Sequence, residues 1–266
     1  MTEILTYFYL LPLAIVVAVL ASSAGISGSN FWIPIYFLVL GIDPKTAFWL
    51  ALLTMVFGFG SALVKNVVQT TINWSIATRY LIIAVPSAIL GTLLVPFAPA
   101  DVLLAIFGSF VIIYGAFLIF RFGLFYNANG SAIPDSGEKI YRIRAVIAGF
   151  LQGLIATGIG IIIMPCVLKH CKIASPAEAV GSTVVIIFVV SLFAAAFRLT
   201  PDFVSVLSEQ EDLILAIMLW VAPGVIIGGQ LGPAVARKLS ARGIRLYVGM
   251  LLVFVGWLIY LRIFSG

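Results

Sequence analysis

The sequence has very few charged residues. Only 9% of its 266 residues are Asp, Glu, Lys or Arg, whereas soluble domains carry about 25%. Hydrophobic residues make up 63%, which is more apolar surface than a water-soluble fold could cover. The composition therefore excludes a soluble domain and predicts an all-α integral membrane protein, because helices satisfy their own backbone hydrogen bonds in lipid.

Histidine and cysteine are also scarce, with one His and two Cys in the chain. Cys166 and Cys171 lie in one apolar stretch with Lys169, His170 and Lys172, and their spacing is typical of neither a disulfide framework nor a metal site. The sequence has no His-Glu-x-x-His motif and no Cys/His/Asp constellation. It therefore predicts no enzyme, no metal and no cofactor, and it predicts an interfacial position for His170.

The net charge of +5 does not indicate nucleic-acid binding, because the basic residues lie in short loops between apolar segments. Such flanking charges are typical of residues that orient a membrane protein. Apolar runs close to the roughly 20 residues needed to cross a bilayer occur at 4–21, 46–64, 80–96, 102–120, 180–197 and 248–263. These runs are predicted to be membrane helices.

The two halves of the sequence repeat one pattern of Gly and Pro. Pro34 and Pro165 each follow a cluster of small residues, at 23–30 and 156–160. Further matches, in the same order, are Pro44 with Pro176, Pro86 and Gly91 with Pro223 and Gly228, and Gly108, Gly115 and Arg121 with Gly249, Gly256 and Arg262. Four collinear blocks indicate a duplication, with the polar segment 123–141 as the linker.

The distribution of Lys and Arg decides between two topologies. Eight simple spans place 8 or 7 of the 15 basic residues in the cytoplasm, no better than chance. If each small-residue cluster instead interrupts a hairpin that enters and leaves on one side, followed by three full spans, the cytoplasmic count rises to 12 of 15. Those residues are Lys65, Arg79, Arg121, Lys139, Arg142, Arg144, Lys169, Lys172, Arg237, Lys238, Arg242 and Arg245.

The predicted architecture is two inverted-topology repeats with about ten helical segments, because five segments per half invert the second half. The first repeat (1–122) has a broken re-entrant hairpin at 4–41 and helices at 45–66, 79–97 and 101–121. A cytoplasmic linker (123–142) joins it to the second repeat (143–266), with a hairpin at 143–171 and helices at 176–198, 211–235 and 244–263. The protein is predicted to be multi-pass in the inner (cytoplasmic) membrane, with both termini outside.

The hairpin breaks are expected at 25–30 and 157–160, where helix propensity is poorest. Short helices should restart at about Phe31 and Ile161, and their positive N-termini, brought together at the midplane, would form an anion site. Alternatively, the small residues only let helices pack closely. The candidate substrate-binding residues are Ser22, Ser23, Gly25, Ser27, Gly28, Ser29, Asn30, Gln152, Thr157, Gly158, Gly160, Ser182 and Thr183.

Five further polar residues are candidates for vestibules or coupling. Lys65, Asn66 and Arg198 lie near ends of predicted helices, where they would snorkel to the interface or attract anions into vestibules. Glu178 and His170 are candidates for proton coupling, although Glu178 begins a segment and suits a helix N-terminus. Since an anion leaving the cell gains about 2.3 kcal/mol per charge per 100 mV, export driven by membrane potential is predicted.

A Gly/Ser cluster, a few apolar residues and Pro, then a Pro-x-x-Ala stretch, occurs at 25–34 with 44–47 and recurs at 158–165 with 176–183. This pattern resembles the sulfite exporter TauE/SafE family over nearly the whole chain. The resemblance implies transport of sulfite, short organosulfonates or related sulfur oxyanions across the bacterial cytoplasmic membrane. An anion channel, or a transporter of another small anion, stays open. The expected partners are the anion, the lipid bilayer and, by analogy with transporters that pair, a second copy of the chain.

Overall fold

A computed structural model of the protein describes residues 5–24, 27–120, 138–168, 170, 173–236 and 241–265. In this part of the chain all regular structure is helical. The helices are α1 (Leu10–Ala24), α2 (Ser29–Pro34, continued by a π-helical turn at Ile35–Val39), α3 (Pro44–Val68), α4 (Trp74–Leu94, followed by a 3-10 turn at Val95–Phe97), α5 (Ala100–Ile119), α6 (Glu138–Ile155), α7 (Ile159–Ile162), α8 (Met164–Leu168), α9 (Pro176–Phe197), α10 (Pro201–Glu209), α11 (Glu211–Ala236) and α12 (Ala241–Ser265).

Six helices in the described ranges are long and apolar enough to cross a membrane: α3, α4, α5, α9, α11 and α12. The segments 10–21, 29–39 and 159–168 are apolar but shorter. Large apolar side chains point away from the protein, and Ile82 and Ile113 are 74% and 69% exposed. Such exposure is stable in lipid but not in water, and the prediction of an all-α membrane fold is confirmed.

Polar residues in the connections determine where several helices begin. Asp43, Asn73, Ser175 and Thr200 each accept a hydrogen bond from a backbone N–H of the following first turn. Proline follows three of these caps at the first helical position, where its missing N–H costs nothing. The Asn73 cap starts α4 at residue 74, five residues before the predicted 79.

Other bounds also differ from the sequence prediction. Helix α6 begins at residue 138, inside the predicted linker 123–142, and residues 121–137 lie outside the described part of the chain. The amphipathic helix α10 was not predicted, because it is too short to give a long apolar run. The short helices α2 and α7 begin at 29 and 159, each two residues before the expected start.

Glycine lets α1 and α6, which are the first arms of the predicted hairpins, pack closely on long helices. Arm α1 packs against α11, and arm α6 packs against α4. The residues in contact are Ala14 with Gly224, Ala18 with Gly228, Ala84 with Gly149, and Ala88 with Gly153. Since residue numbers rise together in both pairs, the paired helices run parallel. Each arm is thus bound to a helix from the other half of the chain.

Two further helix pairs run antiparallel. Helices α3 and α9 meet where Trp49 Nε1 donates to Ala195 O at 3.1 Å, and, at their opposite ends, where Gly181 lies against Asn66. Helices α5 and α12 meet through Gly108 with Gly256 and through Gly115 with Gly249. In both pairs the residue numbers rise in opposite directions, so helices that match in the sequence repeat are antiparallel.

We predict that Gly153→Ala strongly destabilises the protein, because the added Cβ would overlap the backbone carbonyl of Ala88. Overpacking of this kind costs about 1–3 kcal/mol or more when backbone must move. The measurement is the thermal unfolding of purified protein in detergent. Gly58→Ala is the matched control, since its Cβ would lie 3.6 Å from the Val225 side chain. Equal melting temperatures for both variants would contradict the tight α4–α6 contact.

Candidate functional site

Both predicted hairpins contain a helix interruption close to the predicted position. In the first, α1 ends at Ala24, Ser27 and Gly28 are not α-helical, and α2 begins at Ser29. In the second, α6 ends at Ile155 and α7 begins only at Ile159. We call residues 27–28 the first break and 156–158 the second break. Residues 25 and 26 lie outside the described part of the chain.

The second break has the backbone conformation that glycine favours. Gly158 has φ of +130° and Ala156 has φ of +56°, and positive φ values are rare for residues with a Cβ. At Gly158 an added Cβ would also lie 3.2 Å from the Ala148 carbonyl oxygen. The positive φ values interrupt the helix between α6 and α7. Small residues are needed here because they tolerate this backbone conformation and the close contact.

The second break touches the first turn of α2, directly after the first break, inside the protein. Thr157 Oγ1 donates a hydrogen bond of 2.6 Å to Asn30 Oδ1, across 127 residues of sequence. Both side chains are completely buried. The polar segments that sequence analysis assigned to separate hairpins therefore meet at one place.

Two serines, one in the first break and one at the start of α2, extend this polar centre towards α3. Ser27 and Ser29 share a hydrogen bond of 2.8 Å between their hydroxyl groups, and Ser27 Oγ also donates to Met55 Sδ at 3.1 Å. Met55 lies near the middle of α3, which has 25 residues. The serines are fully buried, so the centre lies deep inside the helical bundle.

Gln152 extends the centre towards α9. Its Nε2 donates to Ser191 Oγ at 3.1 Å and lies 3.9 Å from Met55 Sδ. Met55 therefore contacts polar groups from both halves of the chain. Sequence analysis identified Gln152 but missed Met55 and Ser191, because a single Met or Ser within an apolar helix is not distinguished by spacing or composition.

A second hydrogen-bonded group lies beside the centre. Tyr36 OH and Thr54 Oγ1 are 2.6 Å apart, and Thr54 Oγ1 also donates to Leu50 O at 2.8 Å. The Tyr36 ring stacks on Trp32 with a centroid distance of 5.2 Å. Both aromatic residues are buried, and they form an apolar wall with one polar edge next to the breaks.

Two amide atoms in this centre have no partner within the described structure. Asn30 Nδ2 and Gln152 Oε1 are buried and make no hydrogen bond there. A buried polar atom without a partner costs about 1–3 kcal/mol, so a protein rarely retains one without a reason. The unpaired donor of Asn30 and the neighbouring hydroxyl groups could both bind a polar guest.

Ser182 and Thr183 do not join this centre, which corrects the sequence prediction. Ser182 Oγ donates to Glu178 O at 2.7 Å and accepts from the Asn73 backbone N–H at 2.9 Å. Thr183 Oγ1 donates to Ala179 O. Both lie two turns or more before Ser191 on α9, about 12 Å along the axis. Ser182 fastens the start of α9 to the connection between α3 and α4, whereas the Thr183 bond lies within α9.

The other candidates divide into three groups. Gly160 lies within α7 rather than in the break, while Gly28 and Gly158 flank the starts of α2 and α7. Ser22 and Ser23 belong to the last turn of α1, but their side chains, like all of Gly25, lie outside the described structure.

Lys65 and Asn66 make hydrogen bonds at the C-terminal end of α3. Lys65 Nζ donates to Gln230 O at 3.2 Å, and Asn66 Oδ1 accepts from Thr71 Oγ1 at 2.7 Å. Glu178 accepts from Asn73 Nδ2 at 2.9 Å and from the Ala174 N–H at 2.6 Å. These contacts favour structural roles at helix ends. His170 lies half-buried just beyond α8.

Arg198 is not at the interface, and the prediction that it snorkels is wrong. Its side chain is only 3% exposed. The Nη2 atom donates to Gly153 O at 2.7 Å and to Leu154 O at 2.8 Å, the carbonyls of the last turn of α6 before the second break. The guanidinium therefore turns inwards because these helix-terminal carbonyls lack intrahelical partners.

The chemistry of the centre is hydrogen bonding by uncharged groups. Its described side chains are hydroxyl, amide and thioether groups, and no cluster of three or more His, Cys, Asp or Glu side chains occurs among the residues the structure describes. Hydroxyl and amide N–H groups are able to donate hydrogen bonds to oxygen atoms. Such a centre between two interrupted helices defines a class of proteins, the membrane transporters with discontinuous helices.

Comparison with known proteins agrees with this class. Residues 10–259 match the family described as sulfite exporter TauE/SafE, and the chain belongs to that family. It is 22% identical over 283 residues to the "Probable membrane transporter protein YunE" of Bacillus subtilis, covering 98% of this chain and 100% of that protein. It is 26% identical over 262 residues to the "Probable membrane transporter protein MJ0441" of Methanocaldococcus jannaschii, covering 94% and 95%. No solved structure is significantly similar to it. The protein is a multi-pass membrane transport protein.

We predict that Asn30 and Thr157 are energetically coupled. In a double-mutant cycle with Asn30→Ala and Thr157→Val, the coupling free energy should be about 0.6–1.7 kcal/mol, the range of hydrogen bonds measured inside membrane proteins. The measurement is reversible unfolding in mixed micelles. Ser109→Ala combined with Thr157→Val is a control pair, since Ser109 bonds to Tyr260 on α12. Additive effects of the first pair would argue against contact between the second break and the start of α2.

Proposed function

We propose that the protein exports a small sulfur oxyanion, such as sulfite or a short organosulfonate, and binds it between the two breaks. The proposal rests chiefly on the hydrogen bond between Thr157 and Asn30, which joins the two interrupted hairpins at one buried centre. The family description, sulfite exporter TauE/SafE, supports the choice of anion. In this proposal the protein transports its substrate unchanged and is not an enzyme.

The polar groups at the breaks suit an oxyanion. Ser27, Ser29 and Thr157 bear hydroxyl groups, and Asn30 has an unpaired N–H donor. The Asn30 N–H can donate to an anionic oxygen directly. The three hydroxyl groups already donate within the protein, so each would exchange its present acceptor for the anion, and hydrogen bonds to charged groups are stronger than those between neutral ones. Helix α2 begins directly after the first break, so the positive end of its dipole adds to the attraction.

The proposed architecture is a pair of inverted repeats. Three observations support it. Helices α3 and α9, which match in the repeat, are antiparallel, and so are α5 and α12. The contact of α1 with α11 is matched by that of α6 with α4, as a two-fold axis in the membrane plane would require. Inverted repeats are typical of transporters that open alternately to the two sides.

We further propose that the membrane potential drives export. A singly charged anion leaving a negative cytoplasm gains about 2.3 kcal/mol per 100 mV. Glu178 is a poor candidate for proton coupling, since both of its carboxylate oxygens accept N–H groups at the start of α9. His170 lies near the exit of the second hairpin and is the weaker alternative for a proton-linked step.

We predict that purified protein in liposomes takes up sulfite or a short sulfonate with saturable kinetics, and more slowly sulfate or thiosulfate. A potassium diffusion potential, positive on the side that receives the anion, should accelerate uptake. The measurement is anion flux into sealed vesicles with the four anions compared. Flux that responds only to an imposed pH gradient would contradict the proposed driving force. An anion channel, the alternative function, would show no counterflow.

Substitution of Asn30 by Leu should abolish saturable uptake, and Ser29→Ala should weaken it, because each removes a donor beside the breaks. Ser87→Ala is the matched control, since Ser87 Oγ donates only within its own helix to Ile83 O. The Ser87 variant should transport like the wild type. Unchanged transport by the Asn30→Leu variant would place the substrate elsewhere.

We propose an inner-membrane location with both termini outside, based on the distribution of Lys and Arg. A cysteine introduced at Glu209 on α10 should then react with a membrane-impermeant thiol reagent in intact cells. A cysteine at Arg79 on α4 should react only after the cells are opened. Both side chains are exposed, and both variants are made with Cys166 and Cys171 replaced by Ser. The reverse labelling pattern would invert the proposed orientation.

A further inference from the structure

Arg198 is a cation buried without an acidic partner in the described structure. Its side chain is 3% exposed, and its hydrogen bonds go to two backbone carbonyls, those of Gly153 and Leu154. The Nε and Nη1 atoms are buried and have no partner among the described residues. A buried charge without a counter-ion is strongly unfavourable. An anion bound beside the guanidinium would therefore stabilise it.

The guanidinium lies beside the candidate site rather than at a distant surface. Arg198 caps the C-terminus of α9, and Ser191 lies seven residues earlier, two turns along the same helix face. Ser191 binds Gln152, while Arg198 binds the next two residues of α6. Both α9 side chains therefore hold the last turn of α6, directly before the second break.

A purely structural role explains only part of this arrangement. The carbonyls at the C-terminal end of a helix carry partial negative charge and are stabilised by a cation. That role uses Nη2 alone. Three of the five N–H donors of an arginine, those on Nε and Nη1, are left for a ligand. An anion with several oxygen atoms could accept from them.

We propose that Arg198 supplies the fixed positive charge that pairs with the anionic substrate at the second break. This inference rests on the proposed function and identifies the charged group of that site. The first break then contributes uncharged donors and the α9 end contributes the cation. The two halves of the chain then contribute different groups to the site. Near the end of α3, which matches α9, the polar residues are Lys65 and Asn66, and they bind Gln230 and Thr71 instead.

The test compares Arg198→Gln, Arg198→Lys and wild type in sealed vesicles and in detergent. Arg198→Gln should raise the KM and the Kd for sulfite about ten- to a hundredfold, the loss expected for hydrogen bonds to a charged group. Arg198→Lys should restore part of the affinity, because it keeps the charge. Arg79→Gln is the control, since Arg79 is exposed on α4, and it should behave like the wild type.

The split between affinity and turnover separates the two roles. A residue that only caps α6 would lower Vmax or the melting temperature and leave the Kd unchanged, which would overturn the proposal. If Arg198→Gln does not fold, the wild type gives the answer with selenite, a sulfite analogue with an anomalously scattering atom. Selenium within about 4 Å of a guanidinium nitrogen supports the proposal, because a selenite oxygen would then lie within hydrogen-bond distance of that nitrogen. Selenium bound elsewhere overturns it.

These outcomes also distinguish the failure of this inference from that of the proposed function. Wild-type vesicles that take up none of the four anions would refute the function itself. Wild-type vesicles that transport sulfite, together with Arg198→Gln vesicles of equal KM, would refute only the role of Arg198.

Discussion

The structure depends on one constraint, which is that backbone N–H and C=O groups inside a bilayer need partners within the protein. Two segments at depth in the bundle depart from the helix, and both are enclosed by the surrounding helices. Asn30 and Thr157 bind each other there, and Arg198 takes the carbonyls that α6 leaves unpaired. The polar centre exists because the breaks must be buried together, away from lipid.

The centre combines the two halves of the chain unequally. The first half contributes the hydroxyl groups of Ser27 and Ser29, and the second contributes Gln152 and Arg198. Met55 on α3 lies against both groups. Uncharged donors on one side and a single cation on the other would bind an oxyanion asymmetrically. Two identical half-sites would not bind an anion asymmetrically. The binding groups therefore differ between the halves, although the helices that surround them are arranged alike.

The sequence predicted the membrane helices and the two breaks because both depend on local composition. Long apolar runs predict spans, and Gly with Ser in an apolar run predicts an interruption. It could not predict that Arg198 turns inwards, since the direction of a long side chain depends on carbonyls contributed by another helix. Ser182 was predicted to join the centre because it follows a glycine in a small-residue cluster. In the structure that cluster packs against the α3–α4 connection, where Gly181 lies against Thr71.

The glycine contacts of the hairpin arms restrict how the protein can move. Arm α1 is held against α11 and arm α6 against α4, so each arm is attached to the half of the chain to which it does not belong. One half therefore cannot rock as a rigid body against the other without separating these contacts. In the proposed transport cycle, a change of access that preserves these contacts would therefore involve the short helices α2 and α7, with the arms staying anchored.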